Sequence, residues 1–464
     1  MFFSGRSRPF RQDVDHTSKT SKRRPPLRFR APVAGLAALS TAVLSAVSMP
    51  AAAAPPIADR TSRYIVVLKD SVTSAATTAE EQSSRYGIRK RHVITYAFKG
   101  YIGDMTAAAA RAVSREPAVQ FVSADRKMRR LPPQPQQSTE VWPYPMIRVG
   151  AKRTNPPPNV NVAVIDSGID STHPDLNVAG GVDCTSGRPV IVVPTDPFGH
   201  GTFVAGVVGA RANNFGIVGV ASGTPLWSAR VVDQNGAIAE SSIVCAVDWV
   251  TSTRRDTNPS NDIAVANISL TGEGSEDGRC GLLNHDPLHL AICRSVARGV
   301  TYAVAAGNDG ADIAQHIPSA YNEVLTATAM ADFDGRPGGL AQPAPVCAVP
   351  EEDDTEAFFS NYATRRSDKA HTIAAPGVCV ASTVPGGYAV DDGTSFSSPI
   401  VAGTVAMCIR SGKCRSGHGA ANMARVLADT ARYNITHPGY GYQGDPLRPI
   451  PGRYYGFLVY AGLY

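Results

Sequence analysis

The chain has 464 residues, 43% of them hydrophobic and 18% charged, which is ordinary for a globular protein with a substantial core and two or three domains. Its formal net charge of +6 is unevenly held: residues 1–30 carry nine Lys/Arg against two Asp/Glu, residues 31–54 none, residues 55–130 fourteen against seven, and residues 131–464 twenty-two against thirty. The large C-terminal part is acidic, which argues against a nucleic-acid partner.

In chain order, RRPPLRFR (23–30) leads into the apolar stretch APVAGLAALSTAVLSAVSMPAAAA (31–54), which ends in small residues at Ala52 and Ala54. A basic flank, an apolar run and a small-residue site make residues 1–54 a secretory signal peptide in expectation. The run is rich in Ala and Ser and contains Pro32, so a cleaved segment fits it better than a lasting membrane anchor. Secretion is expected, with no stable membrane association.

YIVVL (64–68) reads as a buried strand, residues 74–86 as a helix, HVITYAF (92–98) and GYIGDM (100–105) as strands, TAAAARAVSRE (106–116) as a helix and VQFV (119–122) as a strand. The order β-α-β-β-α-β describes a small α+β domain of split βαβ type over residues 55–130. LPPQPQQSTEVWPYP (131–145) is rich in Pro and Gln and reads as extended, so residues 131–148 are set apart as a linker and leading segment. From about residue 160, VNVAVID, PLWSARVV, DIAVANISL, GVTYAVAAG, EVLTATAM and KAHTIAAPG alternate with helical stretches. Short apolar strands separated by helices predict an α/β domain over residues 149–464, with a parallel sheet covered on both faces.

Three short motifs carry chemistry. NVAVIDSGID (161–170) is a buried strand ending in Asp166, and groups just past the carboxyl ends of parallel strands form sites. FGHGTFVAGVVGA (198–210) sets His200 between glycines at the start of an apolar helix. In GTSFSSPIVAG (393–403), Ser395 opens a helix, where free N–H groups and the dipole favour negative charge on an attacking oxygen. Pro399 sits within the first turn, where a missing N–H costs little. Ser397 and Ser398 lie deeper and read as capping residues.

Together VIDSGID, GHGTFVAG and GTSFSSPIVAG, in the order Asp, His, Ser, resemble the signature blocks of the subtilisin-like serine proteases, over essentially all of residues 150–464. The resemblance implies Ser395 as nucleophile, His200 as general base and then acid, and Asp166 as the group that orients His200. It implies Asn308, at the end of GVTYAVAAGNDG (299–310), as a side-chain donor in the oxyanion hole. Substrate contacts are implied at Ser269, Leu270 and Thr271 in IAVANISLTGEG (263–274), at Gly236 in NGAIAE (235–240), and at Ala305 and Gly307. Thr271 and Ile238 replace usual small residues and should narrow the subsites. RYIVVLKD and the first domain resemble an inhibitory prodomain, which makes residues 131–148 a linker and mature N-terminal segment. The implied partners are polypeptide substrates and the prodomain itself, on a monomer, with self-cleavage near Met128–Leu131. Opposite net charges on prodomain and main domain would favour their association.

All eight cysteines lie between Cys184 and Cys414, with no CxxC pair, so disulfides in an oxidising compartment are expected. Nearness favours Cys280–Cys293 and Cys408–Cys414, which leaves Cys184, Cys245, Cys347 and Cys379 for two further bonds, taken as Cys184–Cys245 and Cys347–Cys379. No cofactor is implied for the chemistry. Structural calcium is common among relatives, and DFDG (332–335) and EEDDTE (351–356) supply carboxylates for a hard cation, though the second reads as a solvated acidic loop. Thr372 stands where some relatives carry an aspartate ligand, and no metal ligand is assigned. The sequon NIS (267–269) falls in a predicted buried strand and reads as accidental; NIT (434–436) is the other. A kexin-like protease would carry a β-rich domain beyond the roughly 70 residues that follow Ser395, a lipase needs a G-x-S-x-G elbow and the order Ser-Asp-His, and a silent binding protein on the same fold would not need the intact triad.

Overall fold

The computed structural model describes residues 61–128, 134–135, 140–154, 156–347 and 351–464, all within one compact unit, Ile57–Tyr464. The signal-peptide expectation and most of the linker lie outside these residues.

The first domain runs β1 (Ser62–Leu68), α1 (Ala75–Tyr86), β2 (Arg89–Ile94), β3 (Gly100–Met105), α2 (Ala107–Val113) and β4 (Val119–Ala124). Its antiparallel sheet has the order β2-β3-β1-β4. Both helices start on hydroxyl caps, Ser74 accepting from the Thr77 N–H and Thr106 from the Ala109 N–H. The second strand was expected at 92–98 but ends at Ile94. The following turn offers the N–H groups of Tyr96 and Ala97 to the Asp248 carboxylate at 2.8 and 2.7 Å, and a ladder strand would need those donors for itself.

Two short strands, β5 (Lys127–Met128) and β6 (Gln134–Pro135), and the helix α3 (Tyr144–Arg148) lead to the main domain. There the chain runs β7 (Asn161–Asp166), β8 (Val178–Asp183), β9 (Val190–Ile191), α4 (His200–Gly209), β10 (Leu226–Arg230), β11 (Ile238–Ala239) and α5 (Glu240–Thr253). It continues with β12 (Ile263–Ile268), β13 (Gly272–Glu273), α6 (Pro287–Ala297), β14 (Thr301–Ala305), β15 (His316–Ile317) and β16 (Leu325–Met330). Last come α7 (Arg366–Lys369), β17 (Thr372–Pro376), β18 (Val380–Val384), β19 (Gly387–Asp391), α8 (Thr394–Arg410) and α9 (Gly419–Thr436). The main sheet has the order β17-β16-β14-β12-β7-β10-β8-β9 and is parallel except at β9.

Strand β7 shows why the sheet is buried on both faces. Val162 and Val164 pack with Val204 and Val208 of α4 and Val401 and Val405 of α8. Ala163 and Ile165 face the other way, against Ile243 and Val247 of α5 and Ile292 of α6. With a side-chain period of two, such a strand is apolar at every position. β1 repeats the pattern on a smaller scale: Val66 and Leu68 pack on their own helices, while Ile65 and Val67 join Phe98, Ile102 and Phe121 against the core of α5 and α6.

Four disulfides, Cys184–Cys245, Cys280–Cys293, Cys347–Cys379 and Cys408–Cys414, match the expected pairing. The acidic stretch 351–356 is not a solvated loop. Glu351, Asp353 and Asp354 are buried, and Asp354 pairs with the fully buried Arg148 at 2.7 Å. A buried guanidinium needs carboxylate partners, and Asp354 and Asp332, the latter 2.8 Å from Arg148, supply them, while Glu351 and Asp353 accept from backbone N–H groups. Both sequon asparagines are buried: the Asn267 amide donates to Ser269 Oγ, and that of Asn434 to the carbonyls of Thr430 and Leu458.

Candidate active site

Asp166 closes β7, and His200 opens α4. The His200 Nδ1 lies 2.8 and 3.0 Å from the two Asp166 oxygens, with both side chains buried. Gly201 permits this approach, since a Cβ there would stand 2.1 Å from the Gly168 carbonyl oxygen. The loop before α4 hangs on Asp196, which accepts from the N–H groups of Phe198, Gly199 and Thr202 and from the hydroxyls of Ser167 and Thr202. Sequence reasoning passed over Asp196; its place four residues before His200, ahead of a glycine-started helix, was the available signal.

Ser395 lies in the first turn of α8. Its hydroxyl donates to the Ser269 carbonyl at 3.3 Å, and its own carbonyl accepts from Ser269 Oγ at 2.7 Å. Ser398 Oγ lies 2.9 Å from the same Ser269 hydroxyl, and Ser397 donates to the carbonyls of Ala375 and Pro376. These two serines, expected as caps, instead tie the helix to neighbouring strand ends, because α8 runs through the core with its N-cap at Gly393.

Asn308 follows β14. Its Oδ1 accepts from the Thr394 N–H at 3.0 Å and the Thr394 hydroxyl at 2.7 Å. A backbone N–H only donates, so the oxygen is assigned and the amide nitrogen is turned the other way. Thr394 Oγ1 also accepts from the Gly307 N–H, which locks the end of β14 to the start of α8. Asn361, another residue the motifs did not point to, holds the turn with bonds to the Ala306 carbonyl and the N–H groups of Asp309 and Ala311.

His200, Ser269, Thr271, Ala305, Gly307, Asn308 and Ser395 line one cleft of about 660 Å³. Leu270 is buried behind the wall, and Gly236 makes the turn before β11 with a bond from its N–H to the Asp233 carbonyl. One edge of the cleft carries β5, antiparallel to β11 with Met128 opposite Ile238 and Lys127 opposite Ala239. Asp332, Asp334 and Asp353 stand close enough together to share a cation. They fit one poorly, since Asp332 already faces Arg148 and Asp353 accepts from the N–H groups of Phe333 and Ala341.

A doubly covered parallel sheet, with His200 and Ser395 at one cleft from two helix starts and Asp166 behind His200 at a strand end, defines a class, and sequence comparison agrees. The chain belongs to the subtilase family, whose model matches residues 158–443. Residues 63–131 match the peptidase inhibitor I9 family. It is 33% identical over 256 residues to subtilisin of Bacillus pumilus, covering 54% of this chain and 77% of that protein. It is also 33% identical over 256 residues to subtilisin E of Bacillus subtilis (strain 168), covering 54% and 55%. An alkaline protease of Shouchella clausii is 33% identical over 301 residues, 64% of this chain and 65% of that one. The match thus spans between about half and three quarters of these relatives. Among solved structures, fervidolysin from Fervidobacterium pennivorans, described as a keratinolytic enzyme related to subtilisin, superposes with a TM-score of 0.63 at 19% identity, over 87% of this chain and 61% of that one, a likeness of fold.

Proposed function

We propose that this chain is a secreted serine endopeptidase made as a precursor, with residues 55–130 as its inhibitory prodomain and residues 149–464 as its peptidase domain. The observation that carries this reading is the buried Asp166–His200 pair at 2.8 Å opening on a cleft shared with Ser395 and Asn308. Asp166 holds Nδ1, which leaves Nε2 as the basic nitrogen for the cleft. Rotation of the Ser395 hydroxyl from the Ser269 carbonyl to Nε2 would let His200 take its proton as the oxygen attacks a peptide carbonyl. The resulting oxyanion is met by the Asn308 amide and the Ser395 backbone N–H at the positive end of α8. His200 then gives the proton to the departing amine, and water, activated the same way, releases the acyl group. No step calls for a metal.

The pairing of β5 with β11 supports inhibition in cis, because an extended segment lies along the cleft edge as a substrate would. Four disulfides and the N-terminal pattern support an oxidising destination. The test is labelling with a fluorophosphonate probe. The wild-type chain should be labelled and should lose its N-terminal domain, whereas Ser395→Ala should do neither; labelling that persists in Ser395→Ala would remove the reading.

A further inference from the structure

Arg126, just before β5, reaches out of the first domain into the main one. Its Nε and Nη2 lie 2.9 and 2.6 Å from the two Glu240 oxygens, a bidentate pair. Nη2 also stands 2.8 Å from Asp286 Oδ1, and Nη1 donates to the Glu273 carbonyl at 3.5 Å. Both carboxylates are buried, and the Tyr321 hydroxyl donates to the other Asp286 oxygen at 2.7 Å. Room for the guanidinium comes from Gly274, where a Cβ would stand 2.9 Å from Nη1. The backbone joins in: the Glu240 N–H donates to the Arg126 carbonyl at 2.8 Å, continuing the β5–β11 pairing by one residue. Arg126 lines the same cleft as Ser395.

We propose that Glu240 and Asp286 form an arginine-selective subsite of the substrate cleft, occupied in the precursor by Arg126 and taken over by substrate arginine once that segment leaves. This deepens the peptidase reading and rests on it. An extended peptide that pairs with β11 in the same register places its side chain two residues before the Ile238-paired position between these carboxylates. Two buried carboxylates without a cation are costly, and their geometry suits a planar fork better than an ammonium. Burial raises the Glu240 carboxyl above its ordinary range, while the Arg126 guanidinium pulls it back down. With the guanidinium gone, burial holds this carboxyl higher still, so the arriving arginine displaces any proton that Glu240 then carries.

The experiment uses processed enzyme and a quenched fluorescent peptide copying residues 122–133, VSADRKMRRLPP, against the same peptide with citrulline or lysine in place of Arg126. At the bond cut in the parent peptide, citrulline should lower kcat/KM about tenfold or more, with lysine in between. In Glu240→Gln the arginine-to-citrulline ratio should fall towards one. Equal cleavage of the three peptides by wild-type enzyme, or full discrimination kept by Glu240→Gln, would overturn the subsite and leave the peptidase intact. If Glu240→Gln fails to mature, the wild-type comparison decides alone. A wild-type chain with no Ser395-dependent hydrolysis would overturn the peptidase reading, and the subsite with it.

Discussion

Asn308 is held by its acceptor, not by its donor. Thr394 spends both a backbone N–H and a hydroxyl on Oδ1, so the amide nitrogen is aimed before any substrate arrives. Such preorganised donors act where charge develops. Asn308→Ala should therefore lower kcat on the order of 10²–10³ with KM little changed, as steady-state kinetics on one peptide would show. A loss confined to KM would mean that Asn308 only binds substrate. Thr394→Val, which keeps the shape but frees Oδ1 of one partner, should cost kcat a smaller factor in the same assay. Asp166, His200, Ser395 and Asn308 were legible because each closes a strand or opens a helix within a recognisable motif. Thr394, Asp196 and Asn361 were not, since a hydrogen-bond partner distant in sequence leaves no local pattern.

Among elements, six of the eight strands of the main sheet were read from their apolar runs, and the two-residue edge strand β9, in the run VIVV, was not. Nor was β8: VAGGVD carries glycines where the runs carry valines, and Trp227 lies where a Gly180 side chain would be, 2.7 Å from its Cβ position. The first domain was legible in order but not in its seating, which depends on side chains of α5 and α6. Its sheet is apolar where it meets them, and polar contacts sit at the margins. The Asp125 carboxylate accepts from the Ser241 N–H at 2.6 Å, which supplies the start of α5 with the side-chain cap that Ala239 cannot give. The ion pairs run in both directions, with Arg294 on Asp70 as well as Arg126 on Glu240, so net charge alone does not describe this face. Asp248 is a strong polar hold beside Arg126, since its loss strands two backbone donors. In a Ser395→Ala chain, which stays uncut, Asp248→Ala should make trypsin nick residues 61–128 roughly tenfold faster or more. Unchanged nicking would assign the seating to apolar contact alone.

At the scale of the whole molecule, one buried imidazole sets an acid limit. His371 is 1% exposed, and burial pushes it down to about 4 from an ordinary value near 6.5. The unfolded chain therefore binds this proton between pH 6.5 and 4 while the folded chain does not, so stability is full above 6.5 and falls as the pH drops. Over two pH units the loss is about 3 kcal/mol at most. Denaturation of His371→Gln and wild type at pH 7 and 4.5 should show the smaller decline in the variant, and equal declines would discount the imidazole.

The helix that carries Ser395 is buried along 14 of its 17 residues and touches most of the central strands. It behaves as a keel, in that any shift of Ser395 has to displace the interior of the domain. On the proposed function, changes in what is cut should fall instead on the gunwales, the segments around residues 236–240 and 271–274. Directed evolution for new specificity should gather its substitutions there and leave the keel untouched.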